Sequence, residues 1–328
     1  MDTETATTTP LSPLAKMSSR LPLEILTRIL DHLVPMQDTI TLAALVATSR
    51  DMCPLAEKRL YSHIYVHSAP MAHHLLRTWN TRASLAAHVK HLYVRAPERT
   101  SSEFWNSIKD IFQRTSTTVT NVTVNLPDQQ EGPYVSWILR GLQNGNGTLT
   151  TLRVPFSLDT EVKAFLESAA AKSLFRLDLV DLYILPDRVI PEPVTLHADV
   201  SSQLTHVEAS AAALCAIVPG HPVTTVYVRT VSDNVVRPPN LPPAPELMSK
   251  LAQSTAPKGV VFLHIGELYM FSRTETYSLE VLELAPRYLP NLWCLGVVNY
   301  PGTASENMSV SYFPRPITSR IYLPCLLI

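Results

Sequence analysis

The chain has 328 residues, of which 46% are hydrophobic and 17% charged, which is typical of a folded protein with about two domains. Its 27 lysines and arginines nearly balance 28 aspartates and glutamates, and without a basic block this composition gives no support for nucleic-acid binding. No run of about 18 apolar residues and no signal peptide are visible. We therefore expect no stable membrane association and an intracellular location, cytoplasmic or nuclear.

Residues 1–20, rich in Thr, Ser and Pro, predict a disordered leader, because they have too few apolar residues to bury. The segment LPLEILTRILDHL then predicts a helix. Pro22 suits a first turn, and Glu24 places negative charge at the positive end of the helix dipole. Apolar residues recur at i, i+3, i+4 and i+7 and form one stripe: Leu26, Ile29, Leu30 and Leu33, widened by Ile25 and Val34.

Two further segments predict helices, DTITLAALVATSR with Asp38 as candidate N-cap and DMCPLAEKRLYSHIYV with a strand-like end. Below about 60 residues a folded unit has an unfavourable ratio of surface to volume. Three short helices would therefore leave apolar surface uncovered. We interpret this region as one half of an interface.

The residues from Leu21 to Val66 resemble the F-box in their order. The matching positions are Leu21-Pro22, Glu24, Ile25-Leu26, Ile29-Leu30, Leu33, Leu42, Leu45, Val46, Ser49, Arg50 and Leu60-Tyr61. The resemblance implies a three-helix F-box at 21–66 that docks on the Skp-type adaptor of an SCF cullin–RING ubiquitin ligase. It also implies apolar contacts to that adaptor from Leu21, Pro22, Leu26, Ile29, Leu30, Leu45 and Val46. The tryptophan of the family's Val-Ser-Arg-x-Trp has no counterpart in VATSRDM.

One short pattern recurs beyond Val66: an apolar residue, two others, an apolar residue, one other and a third apolar residue. Seven copies begin at Val89, Val119, Leu149, Leu174, Val223, Val260 and Leu279, and a weaker relative begins at Leu204. Their spacing, mostly about 25 to 30 residues, is the scale of leucine-rich repeats. We interpret each copy as one short parallel strand.

Helical periodicity between the early copies covers residues 72–87, 103–114, 134–142 and 161–171. Strand and helix in alternation predict an α/β fold, either a βα solenoid or an open α/β sheet. The asparagine or cysteine of the leucine-rich pattern is replaced by Pro97, Pro127, Ser157 and Leu182, so no asparagine ladder is expected.

An F-box followed by irregular leucine-rich-like repeats over 67–328 is similar to the F-box sets of mushroom-forming fungi. This likeness implies a substrate adaptor in the ubiquitin conjugation pathway, with the repeats binding an unknown protein substrate. On alternating strands, six residues between the apolar positions are candidate substrate contacts: His91, Tyr93, Arg153, Asp178, Tyr227 and His264. The alternative is a repeat scaffold whose N-terminal helices cap the solenoid.

Motifs of catalysis and cofactor binding are missing. Neither a P-loop, G-x-G-x-x-G nor G-x-S-x-G is present, and the four cysteines lack C-x-x-C spacing. Histidines are dense between His63 and His91, but H-E-x-x-H and carboxylate spacings are absent. We therefore expect no enzyme activity, no cofactor and no metal site.

Two segments in the last third of the chain allow alternative interpretations. A Pro-rich insertion near 236–245 contains Pro239-x-x-Pro242, which fits an SH3-type ligand or, as we favour, a stiff loop before a helix at 246–253. The last four residues, from Cys325 to Ile328, fit the C-a-a-X outline of prenylation. Without a polybasic cluster before Cys325, we expect an unmodified C-terminus.

Overall fold

The computed structural model describes residues 22–48, 52–97, 101–126, 135–143, 149–155, 158–179, 196–197, 202–229, 242–268 and 274–300. The predicted leader, Leu21, most of the Pro-rich insertion and Cys325 lie outside these residues. The chain divides into two compact units between Ser62 and His63. We refer to the first as the helical unit and to the second as the sheet unit.

The helical unit contains three helices, α1 (Leu23–Asp31), α2 (Thr39–Thr48) and α3 (Cys53–Leu60). Its core consists of Leu30, Leu42 and Ala56, one residue from each helix. Six partly buried residues pack around this core: Leu33, Leu45, Val46, Met52, Leu55 and Leu60. The apolar stripe of α1 therefore supplies the helical unit with part of its own core.

Hydrogen bonds fix both ends of α1. Pro22 is the N-cap, and its carbonyl accepts the N–H groups of Ile25 and Leu26 at 3.0 and 3.2 Å. Arg59 of α3 donates to the carbonyls of Leu33, at 3.1 Å, and Asp31, at 3.2 Å. Because the last carbonyls of a helix lack partners within it, these bonds tie α3 to the end of α1.

The sheet unit is built on one parallel sheet, which has nine strands in the described part of the chain. They are β1 (His63–Val66), β2 (His91–Arg95), β3 (Asn121–Asn125), β4 (Thr151–Val154), β5 (Arg176–Leu179), β6 (His206–Ser210), β7 (Thr225–Arg229), β8 (Phe262–Leu268) and β9 (Cys294–Tyr300). Each strand pairs with the next in sequence, so the order is β1 to β9. A doubly wound sheet reverses its order at a switch point, so this sequential order agrees with the predicted βα solenoid.

Helices connect most of these strands. They are α4 (Ala69–Thr81), α5 (Ser102–Thr115), α6 (Val135–Gln143), α7 (Thr160–Leu166), α8 (Ala211–Ile217), α9 (Ala244–Leu251) and α10 (Thr274–Tyr288), with 3₁₀ turns at Ala83–His88 and Ala169–Ala171. Neighbouring helices pack on each other from α4 to α7 and from α8 to α10. Large aromatic side chains, including Trp79, Phe104, Phe112 and Phe165, are fully buried in these helices.

Six of the seven pattern copies lie at strands, as predicted, and the weaker copy at Leu204 precedes β6. The first apolar residue of these copies is buried just before its strand, as Val89 and Val223 show. The copy at Leu279 was predicted wrongly, since it lies within α10. There Val281 and Ala285 are buried four residues apart, as on one face of a helix, and neither is one of the three apolar positions of the pattern.

Two further strands carry the repeated apolar pattern but were not predicted from it. Leu292, Leu295 and Val297 fit it at β9, and Tyr61, Ile64 and Val66 fit it at β1. The strand-like end of the predicted F-box is therefore the first strand of the sheet. The division of the chain falls after Ser62, four residues before the predicted boundary at Val66.

Threonines bond to backbone groups near the strand starts. The Thr120 hydroxyl donates to the Lys90 carbonyl at 3.0 Å, and the Thr150 hydroxyl to the Thr120 carbonyl at 3.1 Å. The Thr224 hydroxyl donates to the Thr205 carbonyl at 3.3 Å. Each donor lies one strand further along than its acceptor, so these hydroxyls link consecutive repeats.

Candidate functional site

The apolar stripe of α1 is divided between the core and the surface. Leu30 is only 3% exposed, whereas its neighbour Ile29 is 46% exposed, and Ile25 lies one turn earlier on the same exposed side. Adjacent helical residues differ by about 100° in direction, which is enough to separate a core position from a surface position. The unit therefore covers only part of the predicted stripe.

Three more exposed apolar residues follow α1: Val34 and Met36 in the connection to α2, and Ile40 in its first turn. Ile40 is 87% exposed. We call Ile25, Ile29, Val34, Met36 and Ile40 together the apolar residues of the helical surface. A unit with so small a core cannot cover them, and exposed apolar residues at this density are typical of an interaction site.

The predicted adaptor contacts lie in different environments. Leu21 is outside the described residues, Pro22 and Ile29 are exposed, and Leu26 is half-buried. Leu45 and Val46 pack against the core of the helical unit, and Leu30 is part of that core. Sequence reasoning did not select Met36 or Ile40, because neither belongs to the stripe of α1.

The second candidate site is one face of the sheet, whose side chains alternate with the buried apolar residues of the strands. Its central row is Tyr65, Tyr93, Thr123, Arg153, Asp178, Glu208, Tyr227, His264 and Gly296. A neighbouring row is His63, His91, Asn121, Thr151, Arg176, His206, Thr225, Phe262 and Cys294. We call this surface the polar face, since apolar side chains are few in both rows.

All six predicted substrate contacts lie on the polar face. Five of them occupy the central row, and His91 lies in the neighbouring row. Their exposure differs, because Asp178 and His264 are almost fully covered by neighbouring side chains, whereas Tyr93, Arg153 and Tyr227 are half-buried. Asp178 and His264 are therefore placed to support the surface more than to contact a partner directly.

Aromatic rings occupy the polar face at β1 and β2. His63 stacks on His91 with ring centroids 4.0 Å apart, and Tyr65 lies 4.8 Å from Tyr93. The amide of Asn121 is 2.9 Å from Nδ1 of His91. These contacts join neighbouring strands through their side chains as well as their backbones.

Charged side chains form a network at β5, β6 and β7. Nε of Arg176 donates to both carboxylate oxygens of Asp178 at 3.0 and 3.1 Å, and its guanidinium reaches Glu208 at 3.7 Å. Glu208 also pairs with Arg229. The hydrogen bond to Asp178 raises the pKa of Arg176. Sequence reasoning found only Asp178 of this network, because its other members were not recognised as cross-strand partners.

A further aromatic contact lies at β7 and β8, where Tyr227 stacks on His264 with centroids 4.4 Å apart and an angle of 9°. A Cβ atom at Gly296 would lie 3.0 Å from Nδ1 of His264, so glycine makes room for the ring. Burial lowers the pKa of His264. Burial, followed by the positive charge of Arg176, also lowers the pKa of His206.

A cavity of about 340 Å³ lies between α5 and α6. Phe112, Trp137 and Gly141 give it an apolar lining, and Lys109 and Arg140 are at its edge. Arg140 already pairs with Glu161 at 3.3 Å in an exposed ion pair. Within the described residues no group of three or more His, Cys, Asp or Glu side chains is arranged to hold a metal ion.

No model of a known protein family matches the chain, and no curated protein matches its sequence. Within the described residues, every helix is too short or too polar to cross a membrane. The two surfaces described above are therefore the basis for any functional conclusion.

Proposed function

We propose that the chain is a substrate-recruiting adaptor of an SCF-type ubiquitin ligase, in which the helical unit is an F-box that binds the Skp-type adaptor. The observation that carries the proposal is the exposed set of apolar residues on a three-helix unit with a very small core. The exposed members Ile25 and Ile29 belong to the segment that resembles the F-box. In this proposal, a partner covers what the unit leaves uncovered.

Burial of the apolar residues of the helical surface would supply part of the free energy of binding. Full burial of one Ile or Met side chain is worth about 1.5 to 3 kcal/mol. Binding at about 1 µM requires about 8 kcal/mol after the cost of association has been met. Four of the five apolar residues of the helical surface are already about half covered, so together the five would supply about 4 to 8 kcal/mol, and the other contacts of the interface would supply the rest.

The alternative function is a non-catalytic scaffold whose N-terminal helices cap the repeats. A cap has its apolar residues covered within the chain. Ile40, at 87% exposure, is not covered by the helical unit itself. The two functions therefore differ in what covers the helical surface, which is a partner protein in the adaptor and the repeats in the scaffold.

The decisive experiment is copurification of the full chain with a Skp-type adaptor. Ile29→Asp and Ile40→Asp each place a charge on the helical surface, and we expect both to abolish copurification because a buried, unpaired carboxylate is costly. Thr41→Asp places the same charge on an exposed polar position beside Ile40 and serves as the matched control. Leu30→Asp is unsuitable, since it would disrupt the core of the unit.

Circular dichroism of each variant establishes that the fold is retained. Loss of copurification in both isoleucine variants, with retention in Thr41→Asp, supports the proposal. If the unaltered chain fails to copurify with the adaptor, or the isoleucine variants bind as well as it does, the adaptor function is wrong and the scaffold becomes the better explanation.

In the same proposal, the polar face of the sheet unit receives the protein substrate. It contains the half-buried Tyr93 and Tyr227 and the partly exposed Arg176. Tyrosine and arginine are enriched at protein interfaces. Recognition there and adaptor binding use separate units of the chain. Each can therefore be tested by substitutions that leave the other unit unchanged.

A further inference from the structure

The polar face is positively charged, although the whole chain has a formal net charge of −1. Four arginines and two carboxylates are the charged side chains described on this face of the strands: Arg95, Arg153, Arg176, Arg229, Asp178 and Glu208. This leaves an excess of two positive charges. Charge of one sign on one surface favours a partner of the opposite sign.

The two carboxylates lie beneath the arginines that they bind. The side chain of Asp178 is 2% exposed and that of Glu208 is 9% exposed, whereas the side chain of Arg176 is 42% exposed. The carboxylates therefore fix the positions of Arg176 and Arg229 and remain covered themselves. A partner approaching this face meets guanidinium groups before it meets carboxylates.

Of the two arginines on this face that these carboxylates do not bind, Arg95 lies at an exposed strand end and Arg153 lies at the centre of the face. Arg153 lies in the central row between Thr123 and Asp178, and its Nε is buried with no hydrogen-bond partner in the structure. No ion pair of Arg153 is present among the described residues. A carboxylate cannot reach the buried Nε, but the terminal N–H groups of an arginine that no carboxylate of the described chain binds can pair with one.

We propose that the centre of the polar face binds an acidic segment of a partner protein, with Arg153 as the principal carboxylate-binding residue and Arg176 and Arg229 beside it. The proposal deepens the substrate-receptor part of the proposed function and rests on it for the identity of the partner as a substrate. The planar guanidinium group presents paired N–H donors that match a carboxylate.

The spacing of the arginines defines the segment. Arg153 and Arg229 lie on β4 and β7, three strand intervals apart, and Arg229 lies two residues beyond the central row, which corresponds to about 16 Å in all. An extended peptide covers that distance in about five residues. A segment with acidic residues about five positions apart would place one carboxylate at each end of this arginine group.

The experiment measures binding of a fluorescein-labelled decaglutamate peptide to the full chain by fluorescence polarisation at low salt. Decalysine and a ten-nucleotide oligothymidylate are the comparison probes. We expect decaglutamate to bind more tightly than either, and Arg153→Gln to weaken it about tenfold. Arg77→Gln removes the same charge from an exposed position on α4 and is expected to leave binding unchanged.

Arg95→Gln provides a second variant at an exposed strand end, where loss of the arginine poses little risk to folding, and we expect it to weaken binding about threefold. It decides the question if Arg153→Gln fails to fold. Equal binding by both variants and the unaltered chain overturns the proposal. So does an equal loss in Arg77→Gln, or tighter binding of the oligonucleotide, which would indicate recognition of phosphate.

The outcome is distinguishable from failure of the proposed adaptor function. Decaglutamate binding depends on the sheet unit, whereas copurification with the Skp-type adaptor depends on the helical unit. Lost peptide binding with retained copurification in Arg153→Gln supports both proposals. Copurification without any decaglutamate binding by the unaltered chain overturns the acidic-segment proposal alone.

Discussion

The helical unit and the sheet unit differ in how completely they bury their apolar residues. The helical unit buries three apolar residues in its core and leaves Ile25, Ile29 and Ile40 exposed. The sheet unit buries apolar residues from every described strand, and one face of its sheet is polar. Because surface grows relative to volume as a unit shrinks, the small unit leaves several large apolar residues exposed, while the large unit buries a full core and still has a charged face on its sheet.

The largest expected effect is in the core of the sheet unit. Phe104 is fully buried, so Phe104→Ala should lower the free energy of unfolding by about 3 to 5 kcal/mol. All four tryptophans lie in the sheet unit, and their fluorescence during urea unfolding therefore reports on this unit. Phe175, which is 47% exposed, is the matched control, and a similar loss in Phe175→Ala would contradict the assignment of burial.

The smaller core of the helical unit should be easier to disrupt by a single substitution. Leu42 is fully buried in the helical unit, and we expect Leu42→Ala to cost about 2 to 4 kcal/mol and to increase amide hydrogen exchange in α1 and α3. Ile40→Ala, two residues away, should change stability by less than about 0.5 kcal/mol while weakening adaptor binding. If Leu42→Ala and Ile40→Ala raise amide hydrogen exchange in α1 and α3 to the same extent, the distinction between buried and exposed apolar residues of the helical unit is wrong.

The charge network should contribute less than either core. Asp178→Asn keeps the size of the side chain but removes the charge that holds Arg176, and we expect a loss of about 1 to 3 kcal/mol by urea unfolding. Asp110→Asn, on an exposed position of α5, is the control for loss of a carboxylate. An equal effect of the two variants would show that the network adds nothing to stability.

The smallest effect concerns pH. Burial lowers the pKa of His264 in the folded chain, so the unfolded chain takes up a proton first as pH falls through the ordinary value near 6.5. Acidification from pH 7.5 to 5.5 should therefore lower the thermal midpoint of the sheet unit. His264→Gln should reduce this decrease without removing it, since His206 has the same sign of shift. A steeper decrease in the variant contradicts the expected sign.

Sequence periodicity determined much of the sheet unit. An alternation of two residues assigns every side chain of a strand to one face, so the candidate contacts from His91 to His264 lie on one surface as predicted. Helical spacing likewise located the helices between the early strands. The copy at Leu279 failed because three apolar positions in six residues are too short a pattern to distinguish a strand from an apolar stretch of helix.

Tertiary structure decided what local pattern leaves undetermined. Periodicity places Ile29 and Leu30 on one stripe, but packing against Leu42 and Ala56 buries only Leu30. The sequence supplies Arg176 and Glu208, yet only strand pairing brings residues 32 positions apart within 3.7 Å. Local interactions of the chain fix the direction of a side chain, whereas its neighbours across the fold fix whether it is covered, paired or left for a partner, because those neighbours come from distant parts of the sequence.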